Sequence, residues 1–165
     1  MPAIRATRLL LIAGIAGPLL AAGAVEAQQA YLRVKARVVG ECTLSGGTLD
    51  FGTYMSGQDS PRNGQTSVGV DCPRGFGFTI MMSGGNNPGP GNFRNMAGSG
   101  DLLRYQLYTD SGRTDVWSTG SGGKRINVRS GGNQSHAVFG HIPANQVADA
   151  GNYTDTVVIT LSIDG

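Results

Sequence analysis

Lysine and glutamate are nearly missing from this chain, with two of each among 165 residues. These are the residues that usually surface an exposed helix. In their place stand 27 glycines, with Ser, Thr and Asn filling the gaps. That composition argues against a helical protein and for a loop-rich, extracellular β protein. An excess of one charge is also lacking: the formal net charge is +2, and it falls to +1 once residues 1–27 are set aside. No electrostatic footprint for nucleic acid exists at that value. Histidine is scarce. His136 and His141 have opposite strand parity, so no metal site is expected. There is no Cys-x-x-Cys and no Gly-x-Ser-x-Gly elbow. The stretch STGSGGKR fails the phosphate-loop pattern, because Ser118 replaces the first glycine and Arg125 the required Ser or Thr. The carboxylates are scattered, and Asp155 in NYTDT reads as a turn or backbone cap. Catalytic residues are not expected, nor is a cofactor.

Long apolar runs are absent too, except at the start. MPAIRATRLLLIAGIAGPLLAAGAVEA carries Arg5 and Arg8, an apolar run from Leu9 to Leu20, and small residues Val25 and Ala27 flanking Glu26. This is the pattern of a secretory signal peptide over residues 1–27, with cleavage before Gln28. A membrane anchor is the competing reading, but the run is short and broken by Gly and Pro. The remaining 138 residues, 28–165, suffice for one domain with one core. Cys42 and Cys72 are an even pair in an exported chain and are expected to form a disulfide. Closing a loop of about 30 residues stabilises by roughly 3–4 kcal/mol in the chain-entropy description.

Short apolar stretches then alternate with turn clusters every eight to twelve residues or so, the rhythm of a sandwich or barrel. AYLRVKARVVGEC alternates with period two: Ala30, Leu32, Val34, Ala36 and Val38 share one face, Tyr31, Arg33, Lys35 and Arg37 the other. Leu49 and Phe51 share a parity in GGTLDFGTY. Further strands are expected with Val68, Val70 and Cys72 inward, with Phe76, Phe78, Ile80 and Met82 inward, and with Leu103, Tyr105 and Leu107 inward. Weaker strand signals surround Ile126 and Val128, and SHAVFGHIPANQ. SGGNNPGPGN is a loop by composition. The last segment, GNYTDTVVITLSIDG, has the strongest strand pattern, with Val157, Ile159, Leu161 and Ile163 on one face. An immunoglobulin-like sandwich needs about seven strands, and this sequence stops straight after a long apolar one. The chain reads as one strand short at its end and one strand over at its start.

Several blocks resemble the spore coat protein U domain, the domain of archaic chaperone–usher pilins. They are GECTLSGG, LDFGTY, VGVDCPRG, FTIMMSGGNN with FRNM, LLRYQLYTDSGRTDVW, VFGHIPANQ and AGNYTDTVVITLSI. The resemblance covers nearly the whole of 28–165. Each block is short and structural; their order and spacing carry the match. It implies an all-β fold: an incomplete, pilin-type immunoglobulin-like β-sandwich completed by donor-strand complementation. It also implies one ordered exchange of partners. A periplasmic chaperone lends a strand first, and an outer-membrane usher then swaps it for the N-terminal strand of the next copy of the chain. Residues 28–40 are then the candidate donor, offering Ala30, Leu32, Val34, Ala36 and Val38. Val157, Ile159, Leu161 and Ile163 mark the acceptor groove. The product is a surface pilus or fimbria, or a coat, outside the cell. Two other readings stand beside it. By alternation alone residues 30–38 read as an ordinary first strand of their own sandwich; the missing C-terminal partner and the resemblance turn the reading to donation. The chain also reads as a non-polymerising spore-coat or carbohydrate- or matrix-binding adhesive module, with Tyr105, Tyr108 and Trp117 as a possible sugar platform.

Overall fold

The computed structural model describes residues 41–73, 77–127 and 131–164, and residues 33 and 35. The chain divides into two compact units, 1–37 and 38–165. Every element below belongs to the second.

Eight strands follow in chain order: β1 (Thr43–Ser45), β2 (Arg62–Cys72), β3 (Gly77–Met82), β4 (Arg94–Gly98), β5 (Asp101–Tyr108), β6 (Lys124–Asn127), β7 (Gly132–Ile142) and β8 (Ile159–Asp164). They form a five-stranded sheet, β1-β2-β7-β5-β4, and a three-stranded sheet, β6-β3-β8. All six pairings are antiparallel. The fold is therefore all-β.

Strict alternation explains which faces meet. On β2 the even positions Val68, Val70 and Cys72 are buried, and on β3 so are Phe78, Ile80 and Met82. A period of two sends each set to one side of its sheet. The two sets join Leu103, Tyr105, Leu107, Val138, Ile142 and Phe51 in one core. The β4–β5 hairpin turns on two residues, Ser99 and Gly100, both with positive φ (49° and 87°). Left-handed backbone at both positions matches the right-handed twist of the flanking strands. Outside the strands, SGGNNPGPGN holds bends and a single 3₁₀ turn at Pro90–Asn92, and Gly120–Gly122 forms another.

Two polar side chains hold the layers together from inside. Trp117 is wholly buried, and its Nε1–H donates to the Ile80 carbonyl at 2.9 Å. Arg94 is 1% exposed. Its Nε donates to the Ser83 carbonyl at 2.8 Å, and its Nη2 to the Trp117 carbonyl at 2.6 Å. Nη1 donates to Gln106 Oε1. A buried guanidinium survives when its donors are matched in this way. Arg94 thereby ties β4 and β5 to the end of β3, across the two sheets. Cys42 and Cys72 are joined in a disulfide, which fastens the residue before β1 to the last residue of β2.

Candidate functional site: an open seam between the sheets

The strand β1 is only three residues long. It pairs with Asp71, Val70 and Gly69 of β2 and goes no further. Beyond Ser45 the chain continues without strand pairing as the segment 46–51. On the other sheet β8 pairs with β3 along one edge. Its second edge has no strand partner among the described residues. A Cβ placed on Gly46 would lie 3.7 Å from Ile159 Cδ1, so segment 46–51 and β8 are the two lips of one seam.

The seam opens on a cavity of about 410 Å³. Its floor comes from the larger sheet, with Val68 of β2, Val138 of β7, Leu107 and Tyr105 of β5, and Met96 of β4. Met82 of β3, Val157 and Ile159 form the opposite wall, and Leu49 and Phe51 the near lip. Thr48, Thr66, Thr154 and Thr156 also line it, and one hydrogen-bonded pair stands among them. The Tyr105 hydroxyl donates to Asp155 Oδ2 at 2.7 Å, and Asp155 Oδ1 accepts the Asn86 and Thr156 amides at 2.8 Å each. Asp155 thus acts as a backbone cap within the groove. Burial first, then the neighbouring carboxylate, pushes the Tyr105 phenol well above its usual range. Burial also draws the Arg94 guanidinium down, against the fields of Tyr105 and Asp155. These shifts disfavour ionisation of Tyr105 rather than prepare it for proton transfer.

The residues expected to line the groove fall into two groups. Val157 and Ile159 face the cavity, and Leu161 is half-buried against the core. Ile163 is 40% exposed, at the far end of β8. Strand pairing begins at Ile159, so Val157 reaches the cavity from the approach to the strand. The rest of the apolar lining, from Leu49 to Val138, lies on segment 46–51 and on five other strands, β2, β3, β4, β5 and β7. Alternation marks Leu49 and Phe51, Val68, Met82, Tyr105 and Leu107 by parity, but not as neighbours of one opening, and it marks neither Met96 nor Val138. The expected donor residues Ala30, Leu32, Val34, Ala36 and Val38 lie outside the described residues, as does the expected signal peptide, 1–27.

No group of three His, Cys, Asp or Glu side chains placed to hold a metal occurs among the described residues. His136 packs its ring edge-on to Phe78, centroids 6.0 Å apart, while His141 Nδ1 lies 2.7 Å from Asn63 Oδ1. The aromatic platform is not formed either. Trp117 and Tyr105 are core residues, so they do not share an accessible face with Tyr108.

A two-sheet all-β domain with an apolar seam and a disulfide at one edge narrows the field, and comparison with known proteins decides it. The model of the Spore Coat Protein U domain matches residues 28–160. The chain belongs to the spore coat protein U domain family. This family member is 33% identical over 149 residues to "Protein U" of Myxococcus xanthus, covering 81% of this chain and 83% of that protein. Its fold is similar to a chain in the crystal structure of the CsuC–CsuE chaperone–tip adhesion subunit pre-assembly complex, from the archaic chaperone–usher Csu pili of Acinetobacter baumannii. The TM-score is 0.53 at 25% identity, over 75% of this chain. The chain spans 40% of the length of that pilus-complex chain. Family and fold together describe an all-β domain of this family, similar in fold to a protein of archaic chaperone–usher pili.

Proposed function

We propose that this spore coat protein U domain is a structural subunit of a surface fibre. In this reading, residues 28–40 of one copy enter the seam between segment 46–51 and β8 of the next. The observation that carries it is the edge of β8 that has no strand partner among the described residues, standing beside a cavity of about 410 Å³. A strand laid there hydrogen-bonds to that edge and fills the void at the same time. The alternating face Ala30, Leu32, Val34, Ala36 and Val38 suits that position. Burying Leu32, Val34 and Val38 contributes roughly 5–9 kcal/mol gross, and each ladder hydrogen bond about 1 kcal/mol net. Left open, the seam is an aggregation hazard, which is the physical need for a periplasmic chaperone before an outer-membrane usher. Export fits the signal-like residues 1–27, and the family match begins at residue 28. Nothing in this reading calls for catalysis.

A second reading, a coat component that does not polymerise, draws on the similarity to Protein U. One experiment separates them. Residues 28–40 are deleted from the N-terminus and, in a second variant, moved to the C-terminus through a short linker. Donation predicts that the deletion yields an aggregating or unfolded product and the transplant a stable monomer. A well-folded monomer from the deletion alone overturns the fibre reading.

A further inference from the structure

The seam does not end at the first cavity. A second trough, of about 730 Å³, continues it. The two share Leu49, Phe51, Met96, Tyr153 and Thr154 in their linings. The same two chain segments form both walls: one runs on from residue 51 to 56, the other back from residue 153 to 148. The far end is shut where the Gly57 amide donates to the Gln146 carbonyl at 2.8 Å and the Asn145 amide to the Gln58 carbonyl at 2.7 Å. Leu103, Ile142 and Met96 keep its floor apolar.

Carboxylates stand on the rim. Asp50 and Asp149 line the second trough and are exposed. The Asp149 amide donates to Oδ2 of exposed Asp101 at 2.9 Å, which brings a third carboxylate to that end. Desolvation first, and then Asp101 and Asp149, raise the Tyr153 phenol above its ordinary value. Among the described residues lining either trough there is no Lys or Arg. Arg62 stands beside the Asp50 lip, its Nε donating to the Phe51 carbonyl at 2.7 Å.

Resting on the donor reading above, we propose that this second trough takes the remainder of the same N-terminal segment from a neighbouring copy. Its acidic rim steers that segment in by its cations Arg33, Lys35 and Arg37. Three observations on independent grounds converge on that occupant. The first is length. Strand β8 has six residues, about 20 Å of edge, whereas 28–40 fully extended runs about 44 Å. Such a strand overshoots β8 by more than its own length, and the second trough lies in line to hold the excess. The second is charge. Segment 28–40 holds Arg33, Lys35 and Arg37 and no acid, while residues 41–165 hold eight Lys and Arg against ten Asp and Glu. The third is placement. The three cations share the parity opposite the apolar face, so with Leu32 and Val34 turned to the floor they meet the rims. Rim pairs act on encounter rate and partner choice more than on final affinity, because water screens them.

The test uses the exported chain, refolded from denaturant, with growth of denaturant-resistant ladders followed over time. Steering predicts that wild-type assembly slows about tenfold or more between low and high salt. Arg33→Glu/Lys35→Glu/Arg37→Glu assembles about tenfold slower at low salt and converges with wild type at high salt. Mixing this triple variant with Asp101→Lys/Asp149→Lys restores the rate. If the triple variant matches wild type at low salt, or the charge swap gives no recovery, the acidic rim has no steering role and the proposal falls while donation stands. Leu32→Asp is the control for donation itself. If it polymerises like wild type, or if wild type forms no ladder, donation and this proposal fall together.

Discussion

The disulfide offers the sharpest test of how the seam is built. Cys42 and Cys72 are 30 residues apart, and the bridge fastens the start of the β1 lip to β2. With β1 only three residues long, few ladder bonds hold that lip otherwise. Replacing both by alanine, C42A/C72A, frees a loop of about 30 residues in the unfolded chain, which costs about 3.7 kcal/mol in the chain-entropy description. For a chain of this size that corresponds to a fall in Tm of roughly 7–15 °C. The assay is thermal and urea unfolding of the strand-transplanted monomer, so that aggregation through the open seam does not mask the transition. A second readout follows from location: amides of segment 46–51 exchange with solvent faster than those of β7 when the bridge is absent. A loss below about 1 kcal/mol, with unchanged exchange along 46–51, refutes the claim that the bridge holds the lip.

Three further outcomes follow from the same geometry. In Gly140→Ala the new Cβ falls 2.5 Å from Leu49 Cδ2 and 2.7 Å from Phe51 Cζ. It pushes the lip outward, costs about 1–3 kcal/mol, and slows fibre growth in a ladder assay. Arg94→Met strands the Ser83 and Trp117 carbonyls and leaves Gln106 Oε1 with the Leu107 amide alone. Leaving a buried carbonyl without its donor costs about 1–3 kcal/mol each, readable as a lower urea midpoint. His136 and His141 both have lowered pKa values: burial is the main cause, with Lys124 near the first and Arg113 near the second. A base with a depressed folded pKa binds protons more readily when unfolded, so its contribution is complete above about pH 6.5 and is lost as pH falls below it. Stability measured from pH 8 to pH 5 therefore declines on the acid side, and His136→Leu flattens the slope.

Period-two alternation is a local property, and the strands resting on it are legible in the sequence. Val68, Val70 and Cys72, then Phe78, Ile80 and Met82, then Leu103, Tyr105 and Leu107 all turn inward as their parity requires. The glycine-rich, lysine-poor composition likewise settles an all-β architecture, because few segments favour a helix. Parity does not report depth or neighbours. Arg94 and Trp117 lie outside any apolar alternation, yet both are buried, because their donors find carbonyls contributed by distant parts of the chain. The seam is further still from local reach. Leu49, Met96, Leu107, Val138 and Ile159 become one surface only because β1 stops after Ser45, leaving β8 an edge without a strand partner among the described residues. The amino-acid order decides which side chains face inward, since a pleated strand sends alternate residues to opposite faces. Where the two sheets fail to meet is decided by strand pairing across the whole domain.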